Sequence, residues 1–180
     1  MNFPVHEKKL TQAAARLIQK SGGPVDYLRI SKLIYLADRE SISKRGVPIV
    51  GGRYFSMRKG PTISEFMDFV GTRSAPGWRR MISSRYGHEI RLAGAPEFGA
   101  LSASELEILD EVVSRHAKRT TEELVKWCHD NCPEYEEVEH ARRKPITVES
   151  ILRAAGKGAA AVRNTVERAE ATEELDELLA

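Results

Sequence analysis

The sequence predicts a mainly α fold with a small β insertion (α+β): a compact helical domain with one or two short hairpins and a C-terminal helix. Three observations predict it. Apolar residues recur at helical spacing along most of the 180-residue chain. S-x-x-E and T-x-x-E sequences stand ahead of several of these runs, as capping boxes do. β-branched and aromatic residues gather around glycines only at 47–58 and 82–94.

The elements follow in order. Between Glu7 and Lys20, residues Leu10, Ala13, Ala14, Leu17 and Ile18 share one helical face. SGGP at 21–24 stops that helix. Asp26 is placed to cap a second helix reaching about Lys44, with Ile30, Leu33, Ile34 and Ala37 at i, i+3, i+4, i+7. Tyr35 and Leu36 widen its apolar face, which marks it as the central helix, and Gly46 ends it. VPIVGGRYFSMR (47–58) reads as a strand or hairpin. Gly60-Pro61 reads as a turn into a short helix capped by Thr62 and Glu65 and carrying Phe66, Phe69 and Val70. GTRSAPGW (71–78) reads as loop. ISSRYGHEIRLAG (82–94) reads as a second β element turning near Tyr86-Gly87, and the two β pieces are expected to share a small sheet. Ser102 with Glu105 and Thr120 with Glu123 open two further helices, the second ended by Pro133. Thr147 opens another, and Gly156 to Gly158 form a hinge before an acidic amphipathic tail. The expected organisation is a domain over 1–156 and a helical tail over 157–180.

Composition excludes several classes. With 41% hydrophobic and 30% charged residues the chain is an ordinary globular one. No stretch is apolar for long enough to span a bilayer, and the polar N-terminus lacks the h-region of a signal peptide. Two cysteines, Cys128 and Cys132, make no disulfide framework, so a cytoplasmic location is expected. The net charge of +2 conceals an asymmetry. Residues 53–91 hold Arg53, Arg58, Lys59, Arg73, Arg79, Arg80, Arg85 and Arg91 against Glu65, Asp68 and Glu89. Residues 164–180 hold Glu167, Glu170, Glu173, Glu174, Asp176 and Glu177 against Arg168. Such a division suits a charged partner or self-association.

Reaction chemistry is missing from the pattern. There is no G-x-S-x-G, H-E-x-x-H or S-x-x-K. Zinc wants two separated Cys/His pairs, whereas Cys128, His129 and Cys132 form one group, which only His116 or His140 could complete. Cys128 reads as a small buried hydrophobe and Cys132 as a residue near a helix end. A phosphate loop is disfavoured, because Lys59 precedes a lone Gly60 and Pro61 has no N–H to offer an anion. No enzyme, cofactor or metal is therefore expected. SGGPVD is too long for the turn of a helix-turn-helix. The basic middle segment, with Tyr54, Phe55, Trp78 and Tyr86 among its charges, leaves nucleic-acid binding open, although a solvated basic surface explains it better.

The run KLIYLADRESISKRGVPIVGGRYFSMRKGP resembles the Panacea antitoxin domain, the family that includes SocA-like antitoxins. The resemblance rests on Lys32-Leu33-Ile34-Tyr35-Leu36-Ala37-Asp38, then Gly46-x-Pro48-Ile49, then an aromatic strand, then Gly60-Pro61. A later echo is His129, Pro133 and Tyr135, where family members often carry Trp at the last position. The likeness covers roughly residues 5–155. It implies a bacterial or phage-borne antitoxin encoded beside a toxin, which it neutralises by direct protein–protein binding without catalysis. Some members instead act as adaptors that deliver the toxin to a protease. The implied partner is a cognate toxin protein, with a homodimer or hetero-oligomer left open.

Physically, Lys32, Leu33, Tyr35, Asp38, Gly46, Pro48, Gly60 and Pro61 read as scaffold. Asp38 is expected to pair with Lys59 or a loop amide and so tie the second helix to the Gly-Pro turn. Arg53, Tyr54, Arg58 and Lys59 are the candidate partner-binding residues, forming a rim for an acidic surface. The family often neutralises through added terminal segments. Here the domain begins almost at once, so the acidic tail from about Ala159 to Ala180 is expected to contribute to toxin binding, against the simpler reading of a packed or frayed helix. Its end, Leu178-Leu179-Ala180, also resembles a small apolar protease tag.

Overall fold

Helix α2 (Tyr27–Arg45) is the axis of the molecule. It packs against α1 (Glu7–Lys20), α5 (Ala103–Arg115), α6 (Thr121–Asn131), α7 (Val148–Ala154) and the strand β3 (Gly60–Ile63). Being surrounded, it buries Ile30, Leu33, Ile34, Leu36 and Ala37 around most of its circumference, and Tyr35 with them. The computed structural model describes residues 2–71, 75–84, 87–139 and 142–179. Asp26 caps α2 by accepting from the Leu28 amide, and Gly46 closes it in the left-handed conformation at φ 72°.

The helix expected at 7–20 and those expected behind Ser102, Thr120 and Thr147 form, as α1, α5, α6 and α7. Ser102 with Glu105, and Thr120 with Glu123, make reciprocal capping boxes, and Thr147 makes a third with Ser150. These caps were legible because each satisfies its helix from within one turn. The tail folds as α8 (Ala159–Leu179) beyond Gly156 at φ 74°. Its first half is anchored: Val162, Thr165 and Ala169 are buried.

Strands arrange differently from expectation. Among the described residues there are two three-stranded antiparallel sheets rather than one shared sheet. In the first, β2 (Tyr54–Met57) lies between β3 and β6 (Lys144–Ile146). In the second, β5 (Glu89–Leu92) lies between β1 (Val25–Asp26) and β4 (Ile82–Ser84). The expected turn partner Tyr86 lies outside the described residues. Strands β1 and β6 are two and three residues long, too short to leave an alternation in the sequence, and exist because β5 and β2 offer them an edge.

Three local readings are corrected. Gly60-Pro61 is not the turn into a helix; it begins β3, with Pro61 opposite Ser56 and Gly60 opposite Met57. Because β3 is an edge strand, the N–H that proline lacks costs no ladder bond. The turn is instead the two-residue link Arg58-Lys59. The Thr62–Glu65 capping box does not form: α3 (Ser64–Val70) starts after Ile63 with no side-chain cap. Thr62 is held in β3 and shares a hydrogen bond of 2.5 Å with Ser31 on α2. Glu65 turns to Arg53, accepting from its amide and its Nε. Finally, part of the predicted 71–78 loop is helical. The helix α4 (Pro76–Met81) starts with Pro76 in its first turn and buries Trp78 edge-on to Phe66 and Phe69.

Candidate functional site

Polar side chains of α2 reach out from an apolar helix and fasten three separate segments. The first is Lys32, 1% exposed, whose Nζ donates to the Pro61 carbonyl at 2.7 Å and the Gly60 carbonyl at 3.1 Å. Burial pushes its pKa down to about 7. The second is Asp38, fully buried. Its carboxylate accepts from the amides of Ile49, Val50 and Gly51 at 2.8–2.9 Å and from the Tyr54 hydroxyl at 2.8 Å. Burial pushes Asp38 up to about 6, while these four donors favour the charged form. Asp38 therefore binds loop amides as expected. They belong to residues 49–51, however, and it is Lys32 that holds the Gly-Pro segment.

The third segment was not foreseen. Glu134, with a fully buried side chain, accepts from the Tyr35 hydroxyl at 2.7 Å and from Arg39 through Nε at 2.6 Å and Nη2 at 3.2 Å. Burial first, and the Glu134 charge second, raise Tyr35 well above the ordinary phenol range. The signal was present as Lys32, Tyr35, Asp38 and Arg39 at helical spacing inside an apolar run. Nothing in the sequence said that Glu134 was their partner.

The 129–136 segment closes the arrangement. His129 stacks on Tyr135 with ring centres 4.4 Å apart, and Tyr135 donates to the Met57 carbonyl at 3.2 Å. His129 also sits over Gly60, where an added Cβ would lie 3.4 Å from the imidazole. The echo of His129 and Tyr135 in the sequence is thus a contact in space. Burial, followed by the charge of Lys32, lowers the His129 pKa. Cys128 and Cys132 are buried free thiols close to Lys32. The proximity of the two thiols, with the charge of Lys32 helping, lowers the Cys128 pKa, whereas Cys128 and burial raise that of Cys132. Among the described residues no three His, Cys, Asp or Glu side chains gather as a metal set; His140 lies outside them.

Above this frame the β2–β3 hairpin carries the four candidate partner residues to different places. Tyr54 is buried, its hydroxyl spent on Asp38, so its ring is unavailable to a partner. Arg53 is exposed but paired with Glu65 at 2.8 Å, with Asp68 beyond at 3.9 Å. Arg58 and Lys59 form the hairpin tip, are exposed, and make no ion pair among the described residues. They border a cavity of about 310 Å³ whose wall includes Tyr27, Leu28, Met57 and Met67. Ser31, Lys32 and Thr62 also line it, but their polar atoms are already engaged with one another or with the hairpin. Of the remaining basic residues of 53–91, Arg79 and Arg80 are exposed on α4; Arg73 and Arg85 lie outside the described residues. Among the described residues no helix is long and apolar enough to cross a membrane.

A protein-family model described as "Antitoxin SocA-like, Panacea domain" matches residues 30–134. The matched segment begins with the apolar face of α2 and ends at Glu134. It therefore contains all three fastenings and the hairpin tip. No curated protein and no solved structure matches the chain.

Proposed function

Because the chain belongs to the SocA-like Panacea antitoxin domain family, we propose that it is an antitoxin that neutralises a cognate toxin by direct protein–protein binding, without catalysis, in the cytoplasm. The observation that carries the binding mode is the hairpin tip. Arg58 and Lys59 stand unpaired by any described residue at the edge of an apolar cavity, on a hairpin fixed by Lys32 and Tyr135. Two cations beside an apolar recess suit an acidic protein surface that inserts a hydrophobic side chain. A charged rim around an apolar centre is the ordinary anatomy of a specific interface. Arg53 contributes at the border through its Glu65 pair. The acidic end of α8 is a second contact, suited to a basic region of the toxin.

The test is co-expression with the product of the adjacent reading frame. The expected result is growth arrest by that product alone, rescue by this chain, and recovery of the two as a complex. The double variant Arg58→Glu/Lys59→Glu should lose the rescue while keeping its melting temperature. Unchanged toxin lifetime during rescue distinguishes binding from delivery to a protease. Rescue and affinity unaffected by the double reversal would overturn the assignment of this surface. Salt-sensitive binding to arbitrary duplex DNA in place of the complex would overturn the antitoxin reading.

A further inference from the structure

Only three large hydrophobic side chains are exposed among the described residues: Met57 at 37%, Leu175 at 55% and Leu178 at 83%. Met57 borders the cavity next to Arg58 and Lys59. Leu175 and Leu178 are three residues apart on α8, hence on one side of it. Glu174 precedes Leu178 by four residues and shares that side, with Glu170 and Glu173 close by and exposed. From 169 onward the sequence holds no Lys or Arg. The two surfaces are opposites of one kind. One is a mainly apolar recess with Arg58 and Lys59 at its rim and Asp26, already spent on capping α2, and His88 in its wall; the other is a pair of leucines flanked by carboxylates.

We infer that these surfaces recognise each other between two copies of the chain: the acidic end of α8 from one protomer seats Leu175 and Leu178 in the cavity of the other. There Glu173 and Glu174 meet Arg58 and Lys59. The first half of α8 is held by Val162, Thr165 and Ala169, and beyond it Glu173, Glu174, Leu175 and Leu178 are exposed. A two-fold arrangement makes the contact twice, so each copy gives a tail and receives one. The exposed leucines are covered and both charge clusters are neutralised in the same event, so the dimer covers the toxin surface proposed above and the toxin must displace the tail to reach it.

Analytical ultracentrifugation of the full chain, without any toxin, tests this. The expected result is a concentration-dependent dimer that weakens with added salt. Arg58→Glu/Lys59→Glu and, separately, Glu173→Lys/Glu174→Lys should each weaken dimerisation by at least ~10-fold. Combining all four substitutions in one chain should restore it, a result that damage to folding cannot produce. Circular dichroism checks that each variant keeps its helix content. A chain that stays monomeric at every concentration, a dimer indifferent to both reversals, or a fourfold variant that stays dissociated would overturn the inference. Since no toxin enters these measurements, their failure leaves the antitoxin reading standing, and failure of the rescue experiment leaves the dimer standing.

Discussion

Lys32 donates its buried amine to the Pro61 carbonyl at 2.7 Å, joining the middle of the central helix to the edge strand of a sheet. The pKa of this group falls from an ordinary 10.5 to about 7 through burial. In the unfolded chain Lys32 keeps its proton up to the higher value. Between pH 7 and about 10 the unfolded state therefore binds more protons than the folded one, and stability rises with pH across that window. Lys32→Met removes this dependence. Denaturant midpoints at pH 7 and pH 9 should show the wild type gaining on the variant as pH rises; a constant difference would refute it.

Asp38 collects three amides and the Tyr54 hydroxyl. Asp38→Ala leaves all four donors buried without an acceptor, at an expected cost of about 3–5 kcal/mol. For a chain of this length that lowers the melting temperature by about 10 °C. Asp38→Asn keeps the shape but turns an amine toward some of the donors, and it too should melt below wild type. A shift within about one degree would show that the loop 49–51 is held by packing alone.

Glu134→Ala strands the Tyr35 hydroxyl, and leaves Arg39 with only its partly solvated side. The expected loss is about 2–3 kcal/mol, seen as a melting shift of about 5–10 °C. Tyr35→Phe removes only the hydroxyl and should cost about 1 kcal/mol. If the Glu134→Ala loss shrinks in a Tyr35→Phe background, the two side chains are coupled.

Gly60 has φ 89°, a conformation that side chains rarely adopt. A Cβ there would meet the His129 ring at 3.4 Å and Lys32 Cε at 3.6 Å, ordinary contact distances, so the strain lies in the backbone. Gly60→Ala should therefore destabilise by about 1–2 kcal/mol. Thermal melting followed by circular dichroism should show that loss. An unchanged melting curve would place the hairpin's precision elsewhere.

The helices were readable because their information is local: caps and apolar stripes both act within a few turns. The hairpin was readable as β but mislocated, because Thr62 and Glu65 carry a capping signature that tertiary partners override. Ser31 claims the Thr62 hydroxyl and Arg53 claims the Glu65 carboxylate. Strands β1 and β6 were invisible, since each is defined by a partner far along the chain. The same holds for the site. Lys32, Asp38 and Gly60-Pro61 stood out as residues, but which oxygen or amide each one reaches depends on where the chain returns. Glu134, 99 residues from Tyr35, had no local mark at all. Tyr54 looked like a surface aromatic because alternation along β2 does not say which face is covered; Asp38 decides it.

The two-residue tip of the β2–β3 hairpin separates duties that many interfaces mix. Its flanks are committed to the frame: Met57 lends its backbone carbonyl to Tyr135, and Gly60 lends its own to Lys32. The side chains of Arg58 and Lys59 support nothing beneath them. Rewriting those two codons changes what the surface presents without changing what keeps it folded. A library randomised at 58 and 59 would sample partner preference on a constant scaffold, and survivors of a toxin selection would differ in specificity far more than in stability.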